Sequence, residues 1–196
     1  LEAMEERQVS VDGVTYVLET PFMVIATQNP IEQAGTYRLP EAQLDRFLLK
    51  TSIGYPDHQS TMRILENPHS SDAVEVSAVV PASTVADMVS LVSTVHVDPS
   101  INDYIARIVE ATRAASEVRL GASVRAALAL VRGTRALAAS AGRSFVIPDD
   151  VKALAEAVLA HRLVLDPEAE FDGVTSSSVV SRVLIDTPPP QDQGAR

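Results

Sequence analysis

The stretch Val24–Lys50, VIATQNPIEQAGTYRLPEAQLDRFLLK, begins as a buried strand would and then turns polar. Val24, Ile25 and Ala26, preceded by Met23, run directly into Thr27, Gln28, Asn29 and Pro30. An apolar run of this kind, Phe22 to Ala26, predicts a strand buried on both faces, as in a parallel sheet covered by helices. In such sheets ligands collect beyond the carboxyl ends of the strands, and Asn29 stands at that end. Its amide suits a water or a phosphate oxygen, and equally suits a turn before proline. Further on, Arg46 lies inside the apolar segment Leu44–Leu49. A guanidinium is not neutralised by burial, so it needs a partner such as the adjacent Asp45, or an anion to reach.

Working upstream, Gln8–Tyr16 alternates apolar and polar residues around Asp12-Gly13, which predicts a two-residue hairpin because a type I′ turn needs positive φ at both positions. Downstream, Leu39–Lys50 opens with a Pro-Glu pair suited to a first helical turn, and Thr51–Gly54 reads as a short strand. Beyond Pro56 helix signals dominate. A helix near Ser83 would turn Val85, Met88, Val89 and Val92 inward. Another follows Asp98-Pro99, an N-cap and first-position pair, with Ile101, Tyr104, Ile105, Ile108 and Val109 on one stripe. A third starts at Ser123, with Ala127, Leu130, Val131, Leu137 and Ala138 inward, and stops at Gly142. A fourth starts at Pro148 with Val151, Leu154, Ala155, Val158 and Leu159. Four such helices make a small bundle. The expected fold class is thus α/β followed by all-α. The end of an α/β unit covers residues 1–56, a helical unit covers 57–186, and a disordered proline-rich tail covers 187–196.

Arg125 occupies the first turn of the helix capped by Ser123. The macrodipole disfavours a cation there and favours an anion, so the arginine makes sense if a phosphate sits between them, or if its side chain turns into water. The four histidines are scattered without metal-ligand spacing. There is no cysteine, which removes disulfides and thiolate ligands and fits a reducing, cytoplasmic setting. The longest apolar run, Ala126–Val131, is far too short for a bilayer, so the reading is a soluble protein. The 196 residues carry 46% hydrophobic content, ample for a core, and a net charge of -10, which repels nucleic acid. No G-x-x-x-x-G-K-[ST] phosphate loop occurs. The opening LEAMEERQ reads as the end of a helix already under way, so the chain is expected to be the later part of a longer protein.

The order of hairpin, VIATQNPIEQAGTYRLPEAQLDRFLLK, helical segment and GASVRA closely resembles the MoxR family of AAA+ ATPases, over nearly the whole chain. The resemblance implies a ring-forming ATPase, in the family a hexamer, with an α/β core and a helical lid. It implies ATP and Mg2+ as cofactors, with their phosphate-loop and acidic ligands upstream of Leu1, so that this chain alone should not hydrolyse ATP. By the same resemblance Asn29 is the sensor 1 residue beside the attacking water. Arg46 is the arginine finger acting in the neighbouring subunit, and Arg125 is the sensor 2 residue on the γ-phosphate. The hairpin is similar to the pre-sensor 1 hairpin. Partners implied are protein clients, among them von Willebrand A-type proteins, with metal-cofactor insertion as one setting. Val124 and Arg38 depart from the family pattern, where proline is usual at both.

Two other functions stay open. A chelatase- or helicase-type motor would share the hairpin, yet Val9–Tyr16 holds no lysine or arginine with which to grip a phosphate backbone. A non-enzymatic helical interaction module is the other, favoured by the missing phosphate loop.

Overall fold

The computed structural model describes residues 2–28, 40–67 and 77–190. A short helix α1 (Glu2–Glu5) leads into strand β1 (Gln8–Val11), which pairs antiparallel with β2 (Val14–Val17). The turn is the one that Asp-Gly dictates: Asp12 and Gly13 take φ of 51° and 78°, with Val11 opposite Val14. Both arms stay largely open to solvent, with Val11, Val14, Tyr16 and Val17 exposed.

The segment Phe22–Ala26 departs from the expected doubly buried strand. Met23 and Ile25 are 77% and 78% exposed, and no described strand pairs with residues 22–28. The apolar pattern specifies a surface to be covered, but burial needs neighbouring strands and helices, which the described residues do not supply. Asn29 and Arg38 lie outside the described residues. Nor does any described strand pair with Thr51–Gly54. The helix expected from Leu39 is short: α2 (Glu41–Leu44) gives way to turns at Asp45.

From α3 (His58–Glu66) onward the described elements are mainly helices. There follow α4 (Ala82–Ser93), α5 (Pro99–Ala114), α6 (Val124–Ser140), α7 (Pro148–Leu159) with a single 3-10 turn (Ala160–Arg162), α8 (Pro167–Phe171) and α9 (Ser176–Asp186). Their starts follow local chemistry. The Asp98 carboxylate accepts from the Ser100 amide, the Ser123 hydroxyl from that of Ala126, and the Thr175 hydroxyl from that of Ser178. Gly142, at φ 72°, ends α6 in the left-handed conformation that an L-residue resists.

The core lies where α5, α6, α7 and α9 meet. Tyr104, Ile105 and Ile108 of α5, Leu130 of α6, Val158 and Leu159 of α7, and Val179 and Val180 of α9 are buried together. Each such side chain contributes about 1.5–3 kcal/mol by leaving water. The stripe read for α4 is met only in part: Met88 and Val89 are exposed, because α4 rests on α6 by one edge. A small ribbon that periodicity does not reveal also holds the bundle, β3 (Val118–Leu120) pairing antiparallel with β4 (Val164–Leu165). Beyond Asp186, Thr187 is buried and the Pro188 carbonyl accepts from Arg107 at 3.0 Å, so ordered packing runs past the expected start of the tail. Residues 191–196 lie outside the described residues.

Candidate functional site

The loop entering α6 is held from behind. The Thr112 hydroxyl, fully buried, donates to the Val109 carbonyl at 2.7 Å and accepts from the Ala122 amide at 3.1 Å. Arg113 Nε donates to the Ala122 carbonyl at 2.7 Å. Gly121 passes so close to α5 that a Cβ there would lie 2.7 Å from the Arg113 Cα. This anchorage sets Ser123 as the cap and Arg125 one residue inside the helix.

What stands at this helix start is a carboxylate of the chain itself. Asp45, just past α2, brings its Oδ1 and Oδ2 each to 3.4 Å from the Ser123 hydroxyl, which donates. Arg125 Nη1 is 3.7 Å from Asp45 Oδ2. Besides its neighbour Arg46 in sequence, Asp45 thus has partners 78 and 117 positions away. The stronger of these is Arg162. Its Nε donates to Asp45 Oδ1 at 2.9 Å and its side chain is only 2% exposed.

Arg162 does more than pair a charge. Nη2 donates to the carbonyls of Asp45, at 3.1 Å, and Phe47, at 2.5 Å. Nη1 donates to the carbonyl of Leu48 at 3.2 Å and to that of Val158. These bonds explain why α2 ends early: the carbonyls of Asp45, Phe47 and Leu48 are turned toward a guanidinium instead of serving a helical ladder. Two further contacts seal the seam, the Lys50 amide on the Ala157 carbonyl at 2.9 Å and His161 Nε2 at 3.4 Å from the Phe47 carbonyl. Burial draws Arg162 below its ordinary pKa, partly countered by Asp45, yet a guanidinium stays charged at neutral pH. Removing one partner of a buried pair costs about 3–5 kcal/mol, and the partial exposure of Asp45 places this pair toward the lower end.

Of the three residues singled out by sequence, the structure brings the segment of Arg46 against the helix start of Arg125, while Asn29 lies outside the described residues. Arg46 is half-buried at the turn after α2, its amide donating to the Gln43 carbonyl at 3.3 Å. Arg162 and the role of Asp45 were missed. The signal was present: Arg162 sits in VLAHRLVL, an arginine among leucines, the same pattern that drew notice to Arg46.

Chemically, a capped helix start with an arginine in its first turn is an arrangement that suits an anionic oxygen, and here the Asp45 carboxylate takes that place. Donors of this kind fit the terminal phosphate of a nucleotide. They do not fit its metal: among the described residues no group of three His, Asp or Glu side chains could hold an ion. No described helix is long and apolar enough to cross a membrane.

Comparison with known proteins gives concordant results. Residues 1–49 match the family described as "ATPase family associated with various cellular activities (AAA)", and residues 110–183 match "AAA lid domain". "Uncharacterized protein YeaC" of Bacillus subtilis is 44% identical over 187 residues, covering 94% of this chain and 58% of that protein. "Chaperone MoxR1" of Mycobacterium tuberculosis is 38% identical over 193 residues, covering 94% of this chain and 51% of that protein. The chain therefore spans little more than half the length of these relatives. The crystal structure of "a putative ATPase" from Cytophaga hutchinsonii superposes with a TM-score of 0.88 at 35% identity, covering 97% of this chain and 61% of that one.

Proposed function

The chain belongs to the MoxR family of AAA+ ATPases, and from that premise we propose that it forms the sensor-and-lid half of an ATP-hydrolysing machine that remodels or activates protein clients. Residues 1–56 are the closing part of the α/β core, 57–186 the lid and 187–196 a tail. The machine works as a ring, a hexamer, in the cytoplasm, with ATP and Mg2+ held mainly by residues outside this chain. Von Willebrand A-type proteins are the proposed partners and metal-cofactor insertion one proposed task.

In this reading Arg125 and the start of α6 bind the γ-phosphate of their own subunit, Asn29 orients the attacking water, and Arg46 reaches the site of the neighbouring subunit. Phosphoryl transfer is catalysed mainly by positioning and by stabilising charge on the transferring group, so these donors can do the work without forming a covalent bond. An arginine supplied from outside contributes roughly three to five orders of magnitude in turnover. The observation that carries the proposal is the α6 helix start, where Ser123 and Arg125 meet an anionic group in space, although that group belongs to Asp45. A protein client is favoured over DNA by the hairpin, whose exposed side chains include Val11, Val14 and Tyr16 and whose tip is acidic at Asp12.

The test is ATP turnover by the intact, assembled protein. Arg125→Ala should weaken nucleotide retention and turnover together, and Arg46→Ala should lower turnover by roughly three orders of magnitude, to a measurable residual rate, while nucleotide binding survives. Undiminished hydrolysis by both variants would remove the proposal.

A further inference from the structure

Among the described residues Arg162 is the one buried cation, and its bonds are concentrated on a few consecutive residues. Its acceptors on the opposing segment are the carbonyls of Asp45, Phe47 and Leu48 and the Asp45 carboxylate. Arg46 lies between them, one gripped carbonyl preceding it and two following. The backbone at Arg46 therefore cannot shift without breaking bonds to a guanidinium that has no water to replace them, since only 2% of its side chain is exposed.

The other end of the grip is equally fixed. Arg162 closes the 3-10 turn that continues α7, and its Nη1 also bonds the Val158 carbonyl within α7. Helix α7 packs along α6, whose first turn carries Arg125, and Asp45 touches both arginines. A contiguous set of hydrogen bonds and packed helices thus joins Arg125 to the backbone of Arg46. We propose that Arg162 is a positioning residue: it fixes where Arg46 stands and makes the Arg46 segment and helices α6 and α7 move as one body. The inference rests on the role given to Arg46 above. It adds a route by which a displacement at Arg125, in one subunit's nucleotide site, is delivered by that subunit's Arg46 to the next.

The experiment is a double-mutant comparison on the intact, assembled protein, reading kcat and KM for ATP. Arg162→Ala should lower kcat by about 100-fold, the loss expected from a misplacement of about 1 Å, with KM little changed because nucleotide is bound by other groups. The double variant Arg46→Ala/Arg162→Ala should turn over no more slowly than Arg46→Ala alone, since a residue acting through another has nothing left to act on. Arg162→Lys keeps a charge facing Asp45 but lacks the fork that spans the carbonyls, and should show a smaller loss with the same non-additivity. It carries the test where the alanine variant does not assemble.

Two results would overturn the inference alone: Arg46→Ala strongly impaired while Arg162→Lys and Arg162→Ala turn over like the parent, or Arg46→Ala combined with either Arg162 substitution slower than Arg46→Ala by the full factor of that same Arg162 substitution alone. Parent-like turnover by Arg46→Ala would instead remove the role of Arg46 first, and this inference with it.

Discussion

Replacing Gly121 by alanine should unsettle the loop that presents Ser123 and Arg125, for a reason unconnected with glycine's conformational freedom. The added Cβ would lie 2.7 Å from both the Cα and the Cγ of Arg113 and 2.8 Å from its backbone nitrogen. Carbon contacts are comfortable only from about 3.5 Å, so loop and helix must separate by roughly 0.8 Å. The Cγ can swing aside, but the α5 backbone cannot. Overpacking of this sort costs about 1–3 kcal/mol. The same separation stretches two hydrogen bonds, Ala122 amide to Thr112 and Arg113 to the Ala122 carbonyl, each contributing about 1 kcal/mol. A total near 2–4 kcal/mol lowers the melting temperature by roughly 5–15 °C for a chain of this size. Thermal unfolding followed by circular dichroism reads it directly. The comparison variant is Gly142→Ala, where φ is 72° and nothing lies within 4 Å, so only backbone strain of about 1 kcal/mol is at stake. If Gly121→Ala melts no earlier than Gly142→Ala, the close-approach argument is refuted.

Two further predictions concern titration. Arg182 grips Glu117 with two bonds, 2.6 and 2.8 Å, and this holds the Glu117 carboxyl down to about 2. A depressed carboxylate stabilises the fold fully above the ordinary range, and the contribution fades as pH falls toward about 2; NMR titration should show the Glu117 pKa rising toward ordinary values in Arg182→Met, with the Ser116 hydroxyl and a backbone amide still holding it somewhat low. His161 is pushed below its usual pKa, first by burial and then by the charge of Arg162, with Lys50 adding to it. Its stabilising share is therefore complete above about pH 6.5 and is lost on acidification. The fall in melting temperature between about pH 7 and pH 5 should be shallower in His161→Gln.

What could be read from sequence follows how local the physics is. The hairpin needs only Asp12-Gly13, and α5, α6 and α7 announce themselves through Asp98-Pro99, Ser123 and Pro148, because caps act within a single turn. Burial of Ile101, Tyr104, Ile105, Ile108 and Val109 follows from helical spacing and the core confirms it. Phe22–Ala26 reads as a buried strand yet lies open, since a strand's burial is a property of its neighbours. The β3–β4 ribbon is too short to alternate visibly. At the candidate site, the charge of Arg125 at a helix start was legible, but its contact with Asp45 was not, because it required the fold to bring residues 80 apart in sequence together. Arg162 was harder to read because most of its acceptors are main-chain carbonyls, which leave no mark in composition, and its one carboxylate partner, Asp45, lies 117 positions away.

That choice of partners carries an evolutionary corollary. A guanidinium fork that reads peptide oxygens is blind to what side chains Phe47 and Leu48 bear, so mutation at those two positions can drift without loosening the grip. It is not blind to spacing. One residue inserted or deleted between Asp45 and Leu48 would slide the oxygens out of reach, so natural selection should police the length of this segment more strictly than its spelling after Arg46.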